Sequence, residues 1–135
     1  MGEAVLAGKR ILVVEDDVTN MAIIAVLLRH HGAVVVQDPW NAETIHMITR
    51  HMPIDIILLD LMLRHQVSGY DIFKRIKEIP EFAAIPIVVV SATDPAVEIP
   101  KAQALGFAGF ISKPIDARTF PELILCCIEQ QPVWG

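Results

Sequence analysis

The chain has 135 residues, 53% of them hydrophobic, with a mean hydropathy of +0.49 and a net charge of −5 at pH 7. That length suits one domain with a real core and no need of disulfide or metal staples, and the absence of any Lys/Arg cluster argues against a basic face for nucleic acid. No apolar run approaches the roughly 20 residues of a bilayer span, and "MGEAVLAGKR" puts no basic segment ahead of an apolar one, so neither a membrane anchor nor a signal peptide is expected.

The apolar excess points inward, to a sheet covered on both faces whose strands read as continuous apolar runs. The first such run is Ile11–Val14, which stops on Glu15, Asp16 and Asp17. Residues 18–31 follow with a helical pattern that places Ile23, Ile24, Leu27 and Leu28 on one face, and Gly32 suits the position past the helix end. A short strand at Val34–Val36 precedes a second helix over 41–51, ended by Pro53. The third strand, Ile54–Leu59, stops on Asp60. The third helix covers 70–79, with Ile72, Phe73 and Ile76 inward and Lys74, Arg75 and Lys77 to solvent.

The fourth strand, Ile87–Val90, runs to Ser91. Beyond it, Pro95 and Pro100 predict a loose segment and then a short helix from near Pro100 to Gly106. A fifth strand at Phe107–Ile111 leads to "SKPI", and a fifth helix starts near Asp116 or Thr119 as N-cap, with Pro121 tolerated in its first turn. The tail "PVWG" is expected to fray, and Trp40 and Trp134 to cover apolar surface. Cys126 and Cys127 are adjacent and point in different directions on a helix, which predicts a buried thiol beside a partly exposed one, not a disulfide. The histidines show no metal-ligand spacing.

Strand and helix alternating five times is the signature of an α/β domain with a parallel sheet, in which ligands bind beyond the carboxyl ends of the strands. Asp60 and the Glu15–Asp16–Asp17 cluster therefore meet at one edge. Gathered carboxylates repel unless a cation neutralises them. A hard divalent ion is the natural partner, and Mg²⁺ accepts a site with few carboxylates and several waters. Ser91 adds a hydroxyl and Lys113 an ammonium. Together they form a pocket for a small tetrahedral dianion.

At these positions the sequence resembles the receiver domain of two-component response regulators. The matching stretches are "VVEDD", "LLDLML" with Asp60, "VVVSAT" with Ser91 and "FISKPI" with Lys113–Pro114, in order and each at a strand's end. The resemblance covers roughly residues 9 to 130 of a single domain over 1–135. It implies a flavodoxin-like (βα)5 fold, a doubly wound five-stranded parallel sheet with strand order 2-1-3-4-5. It implies that Asp60 is the phosphoacceptor, taking a phosphoryl group from a phosphohistidine. Mg²⁺ would be held by Asp16, Asp60, the Met62 carbonyl and, through water, Glu15. Ser91 and Lys113 would bind the phosphoryl oxygens, with Ser91 and Phe110 as the switch pair and a cis Lys113–Pro114 peptide.

The implied partners are a histidine kinase or histidine phosphotransfer protein, and a downstream protein met by the face of the fourth helix, fifth strand and fifth helix. Direct contact with nucleic acid or membrane is not implied, there is room for a homodimer, and the setting is cytoplasmic. No dedicated enzyme activity is implied beyond catalysing its own phosphorylation and dephosphorylation. Three departures stand out. The loop after Asp60, "LMLRHQVSG", lacks the usual Pro and is one residue longer before Gly69. The switch position is Phe110, without the hydroxyl of the commoner Tyr. Pro95 and Pro100 fall where the fourth helix should be. The altered loop leaves a second expectation, a degenerate receiver that only docks. A haloacid-dehalogenase-type phosphohydrolase ranks below both, because Met62 stands where its general acid should be. Asp17 is expected at the surface.

Overall fold

The computed structural model describes residues 4–39, 43–63 and 67–135; Trp40 lies outside them. The chain alternates β1 (Arg10–Val14), α1 (Val18–His30), β2 (Val34–Asp38), α2 (Thr44–His51), β3 (Ile56–Leu59), α3 (Gly69–Lys77), β4 (Ile87–Ser91), α4 (Pro95–Leu105), β5 (Gly109–Ser112) and α5 (Phe120–Ile128), with a 3₁₀ turn at Pro80–Phe82. A two-residue β6 (Val133–Trp134) follows, and the sheet order is β2-β1-β3-β4-β5-β6, every pair parallel. The five-stranded order 2-1-3-4-5 is present with one strand added at its edge.

Alternate residues of each strand feed two cores. Leu12, Val14, Ile57, Leu59, Val89 and Phe110 face α2, α3 and α4, whereas Ile11, Val13, Ile56, Leu58, Val88 and Ile111 face α1 and α5. Both faces of the sheet are covered, which is why the strands carry almost no polar residue until they end. The amphipathic helices turn one stripe inward. Met21, Ile24 and Leu28 of α1 are buried, but Ile23, expected with them, is 53% exposed and lies with Val18 and Val26 on an outward apolar strip.

Two expectations need correction. The fourth helix is not short: α4 begins at Pro95, the first-turn position where a missing N–H costs nothing, and Asp94 caps it by accepting from the Ala96 amide at 3.0 Å. Pro100 is solvent-exposed, as is Ala96 one turn earlier, so water can reach the carbonyl that Pro100 leaves without a donor. The helix stops at Gly106, φ 98°. The tail does not fray; it forms β6. The fifth helix starts at Phe120 with Thr119 at its N-cap, as expected, although the Thr119 side chain makes no capping hydrogen bond. Cys127 is buried and Cys126 half-buried, both free, as expected. Among the described residues no helix is long and apolar enough to cross a membrane.

Candidate functional site

Because all strands run parallel, their carboxyl ends share one edge, and the polar residues that follow each strand collect there. The Asp60 amide donates to the Val14 carbonyl at 3.2 Å, which sets Asp60 beside the start of the Glu15–Asp17 cluster. The Lys113 amide donates to the Ser91 carbonyl at 3.0 Å, which ties the ends of β4 and β5 together.

The Lys113 ammonium closes the arrangement. Its Nζ donates to Asp60 Oδ2 at 2.9 Å and to Glu15 Oε1 at 2.5 Å, joining residues far apart in sequence. Glu15 and Asp60 are buried, at 3% and 8% exposure. A buried carboxylate is costly unless paired and hydrogen-bonded, and each has a second donor: the Asp17 amide reaches Glu15 Oε2 at 3.1 Å, and the Met62 amide reaches Asp60 Oδ1 at 3.1 Å. Burial raises the pKa of Glu15 above the usual carboxylate range, partly offset by Lys113 and the Asp17 amide. Burial also opposes the charge on Lys113, but its bonds to Glu15 and Asp60 outweigh that and hold its pKa above the ordinary lysine value.

Asp16 is half-buried between Glu15 and the exposed Asp17. Asp17 caps α1, accepting from the Asn20 amide at 2.9 Å, which is the surface role expected of it. Ser91 is buried, and its Oγ accepts from the Thr93 amide at 3.3 Å and lies 3.2 Å from the Thr93 hydroxyl. It does not cap α4; Asp94 does. Met62 pairs with Ser68 in an antiparallel bridge, and the Leu63 amide donates to the Val67 carbonyl, so the two described arms of the loop after Asp60 lie side by side. Residues 64–66 of that loop lie outside the described residues. Phe110 is fully buried, and the Lys113–Pro114 peptide is cis. The edge thus gathers Glu15, Asp16, Asp60, Met62, Ser91 and Lys113, while Phe110 lies in the core behind it.

Asp16, Asp60 and Glu15 are hard oxygen donors, the chemistry Mg²⁺ accepts. Among the described residues, however, no three His, Cys, Asp or Glu side chains are grouped to hold an ion as they stand. Two of the three carboxylates are engaged by Lys113 instead. The donor set fits the metal, and Lys113 neutralises it in this arrangement.

Three contributors were not read from the sequence. Asp38 is buried at the end of β2 and accepts from the Thr44 hydroxyl at 2.6 Å, while its carbonyl receives the Glu15 amide. Ending the second strand at Val36 hid it, although an acid soon after an apolar run is the same kind of signal as Asp60, which follows Leu59 directly. Gly69 opens α3 so close to the loop after Asp60 that a Cβ there would clash with the Asp60 carbonyl oxygen. Thr93, within "SAT", orients Ser91.

Comparison with known proteins bears on the fold and the family. Residues 11–125 match the family model described as "Response regulator receiver domain". The chain is 30% identical over 116 residues to the "Polar-differentiation response regulator DivK" of Brucella ovis, an alignment covering 86% of this chain and 93% of that protein. Among solved structures, a sensor protein from Polaromonas sp. JS666 superposes with a TM-score of 0.81 at 24% identity, covering 91% of this chain and 98% of its own. The receiver domain of sensor histidine kinase PA1611 from Pseudomonas aeruginosa PAO1, with a magnesium ion coordinated in its active site cleft, superposes at 0.79 and 24% identity, covering 91% and 99%. The match spans most of the sequence, and the chain belongs to the response regulator receiver domain family.

Proposed function

We propose that the chain is a phosphoacceptor in a two-component phosphorelay, with Asp60 as the residue modified. The observation that carries this is the Lys113 ammonium, bonded at once to Asp60 and Glu15 where β1, β3 and β5 end. An Asp60 oxygen attacks the phosphorus of a partner's phosphohistidine. The P–N bond breaks, its electron pair stays on the imidazole, and Asp60 carries the phosphoryl group as an acyl phosphate. Lys113, already placed at Asp60 Oδ2, stabilises charge on the transferring oxygens. The Ser91 hydroxyl, one hydrogen bond away along the edge, donates to another. Asp16, Asp60, the Met62 carbonyl and, through water, Glu15 would hold Mg²⁺, which supplies charge neutralisation at the phosphoryl oxygens.

The donor is a histidine kinase or phosphotransfer protein of the cytoplasm. It has an apolar strip to dock on: Val18 follows Asp17 directly, and Ile23 and Val26 extend the strip along α1. The downstream partner meets the α4–β5–α5 face.

The test uses acetyl phosphate with Mg²⁺ and reads the intact mass and the modified residue. One hydroxylamine-labile phosphoryl group on Asp60 is expected, absent from Asp60→Asn, whose amide oxygen can take one of the two donors on Asp60, the Met62 amide or the Lys113 ammonium, and which removes one of the crowded carboxylates, so that the fold persists. A folded chain that takes up no phosphoryl group from any small donor would instead be a docking module.

A further inference from the structure

The α4–β5–α5 face is not open along its strand. In a sheet, an outer strand presents unpaired N–H and C=O groups to any extended segment that can reach them. Here β5 would be that strand, but the chain's own tail lies on it. Val133 pairs with Gly109 and Trp134 with Phe110, and the Gly135 amide donates to the Phe110 carbonyl at 2.9 Å.

Three features seat the tail. Gly109 has no side chain, and a Cβ there would lie 2.8 Å from the Val133 carbonyl oxygen, so glycine is what lets the backbones approach. The end of α5 is a Schellman turn. The Gln130 amide donates to Cys127 and the Gln131 amide to Cys126, with Gln130 left-handed at φ 64°, which reverses the chain back along β5. Trp134 packs on the same core cluster as Phe110, and Gly135 lies against Ile99 of α4.

Partners in a parallel ladder point to the same face, so Trp134 stands beside Phe110 on its outer side. A buried Phe110 cannot swing toward the sheet edge without meeting the indole. We propose that the edge of β5 is a strand-binding site whose resident is the chain's own Val133–Gly135, and that this resident holds Phe110 in its buried position. Two events are then linked: any strand that adds to β5 must first displace the tail, and displacing the tail frees Phe110. The mechanical linkage is independent of phosphoryl chemistry; its meaning for signalling, through Phe110 as a switch, rests on the function proposed above.

The test uses the full chain without Mg²⁺ or phosphodonor, so its failure is separate from failure of Asp60 to accept a phosphoryl group. Phenylalanines are replaced by 4-fluorophenylalanine, and the Phe110 ¹⁹F resonance is assigned with Phe110→Leu. In the unmodified chain that resonance should be insensitive to exchange of H₂O for D₂O, and the Gly135 amide should be protected. Trp134→Ala should reduce Gly135 protection by about tenfold or more and make the Phe110 resonance shift and respond to solvent. Gly109→Ala should do the same from the other side of the contact while leaving Trp134 in place. Two results overturn the inference: a Gly135 amide that exchanges like a free peptide in the unmodified chain, or a Phe110 resonance unchanged in Trp134→Ala once its tail is released. Should Gly109→Ala not fold, Trp134→Ala decides alone, because it alters only a half-buried side chain.

Discussion

β5 carries the candidate site at its carboxyl end and the tail strand along its side, and different forces hold the two regions. At the site, long-range ion pairs do the holding: Lys113 joins acids contributed by β1 and β3. At the side, the contact is local and mostly backbone, with Gly109 making room and one indole resting on the core. The site is therefore sensitive to charge and to the exact path of one loop, whereas the side is sensitive to added volume. A region held by charge can exchange partners when another ion or anion arrives; a region held by shape changes only by leaving.

Substitutions can break that contrast or sharpen it. The largest effect is expected from Gly69→Ala, which would force a Cβ against the Asp60 carbonyl and the Leu61 Cα. Overpacking of this kind costs about 3 kcal/mol, readable in urea melts, and acetyl phosphate uptake should fall with it. A site held by charge alone would tolerate the methyl, so a neutral result would remove backbone approach from its description. Lys113→Met comes next, since it leaves two buried carboxylates facing each other without their cation. A loss of about 2 kcal/mol is expected. Mg²⁺ should restore more stability to the variant than it adds to the unmodified chain, because the ion takes over the neutralising role. Equal Mg²⁺ responses would show that the lysine and the metal do not share these acids.

Gln130→Gly should act in the opposite direction. Gln130 sits at φ 64°, where a side chain costs about 1 kcal/mol that glycine avoids, so the melt should move up by that amount and protection of the β6 amides should rise.

The smallest effect concerns the thiols. Burial pushes the Cys127 pKa up to about 11 from an ordinary value of 9.0. A group that stays protonated in the fold but ionises in the unfolded chain favours folding below the unfolded value, and that benefit is lost as pH rises from 9 toward 11. Between pH 8 and 9.5 the change is under about 1 kcal/mol, and Cys127→Ser should flatten it. At pH 8, Ellman's reagent should modify the half-buried Cys126 well before Cys127.

The residues that could be read from sequence were those whose signal is a change of chemistry at a boundary. Asp60, Ser91 and Lys113 each end an apolar run, and parallel strands put run ends together, so their convergence followed from order alone. Asp38 has the same kind of signal but ends a strand that is half exposed, with Val34 at 48% exposure, so the apolar run that leads to it is short and mixed. α4 was obscured because proline's cost was counted without its position: Pro95 costs nothing in a first turn, and Pro100 lies on a wet face. β6 gave no signal, since a two-residue strand has no period. It exists because a glycine in β5 admits it, and that pairing cannot be seen from either segment alone. In α1, Ile23 reads as core by spacing, yet the helix is apolar nearly all round, so periodicity cannot say which side meets the sheet.

The Gly135 hydrogen bond to the Phe110 carbonyl has a practical corollary. An affinity handle or fluorescent reporter joined after Gly135 would begin one residue from the indole that rests on the core, and its drag would be felt where the aromatic ring must stay seated. Such fusions are better placed at the Ala4 end, which lies beside Gly32 near the opposite, β2 edge of the sheet, if the assay is meant to observe Phe110 and not the label.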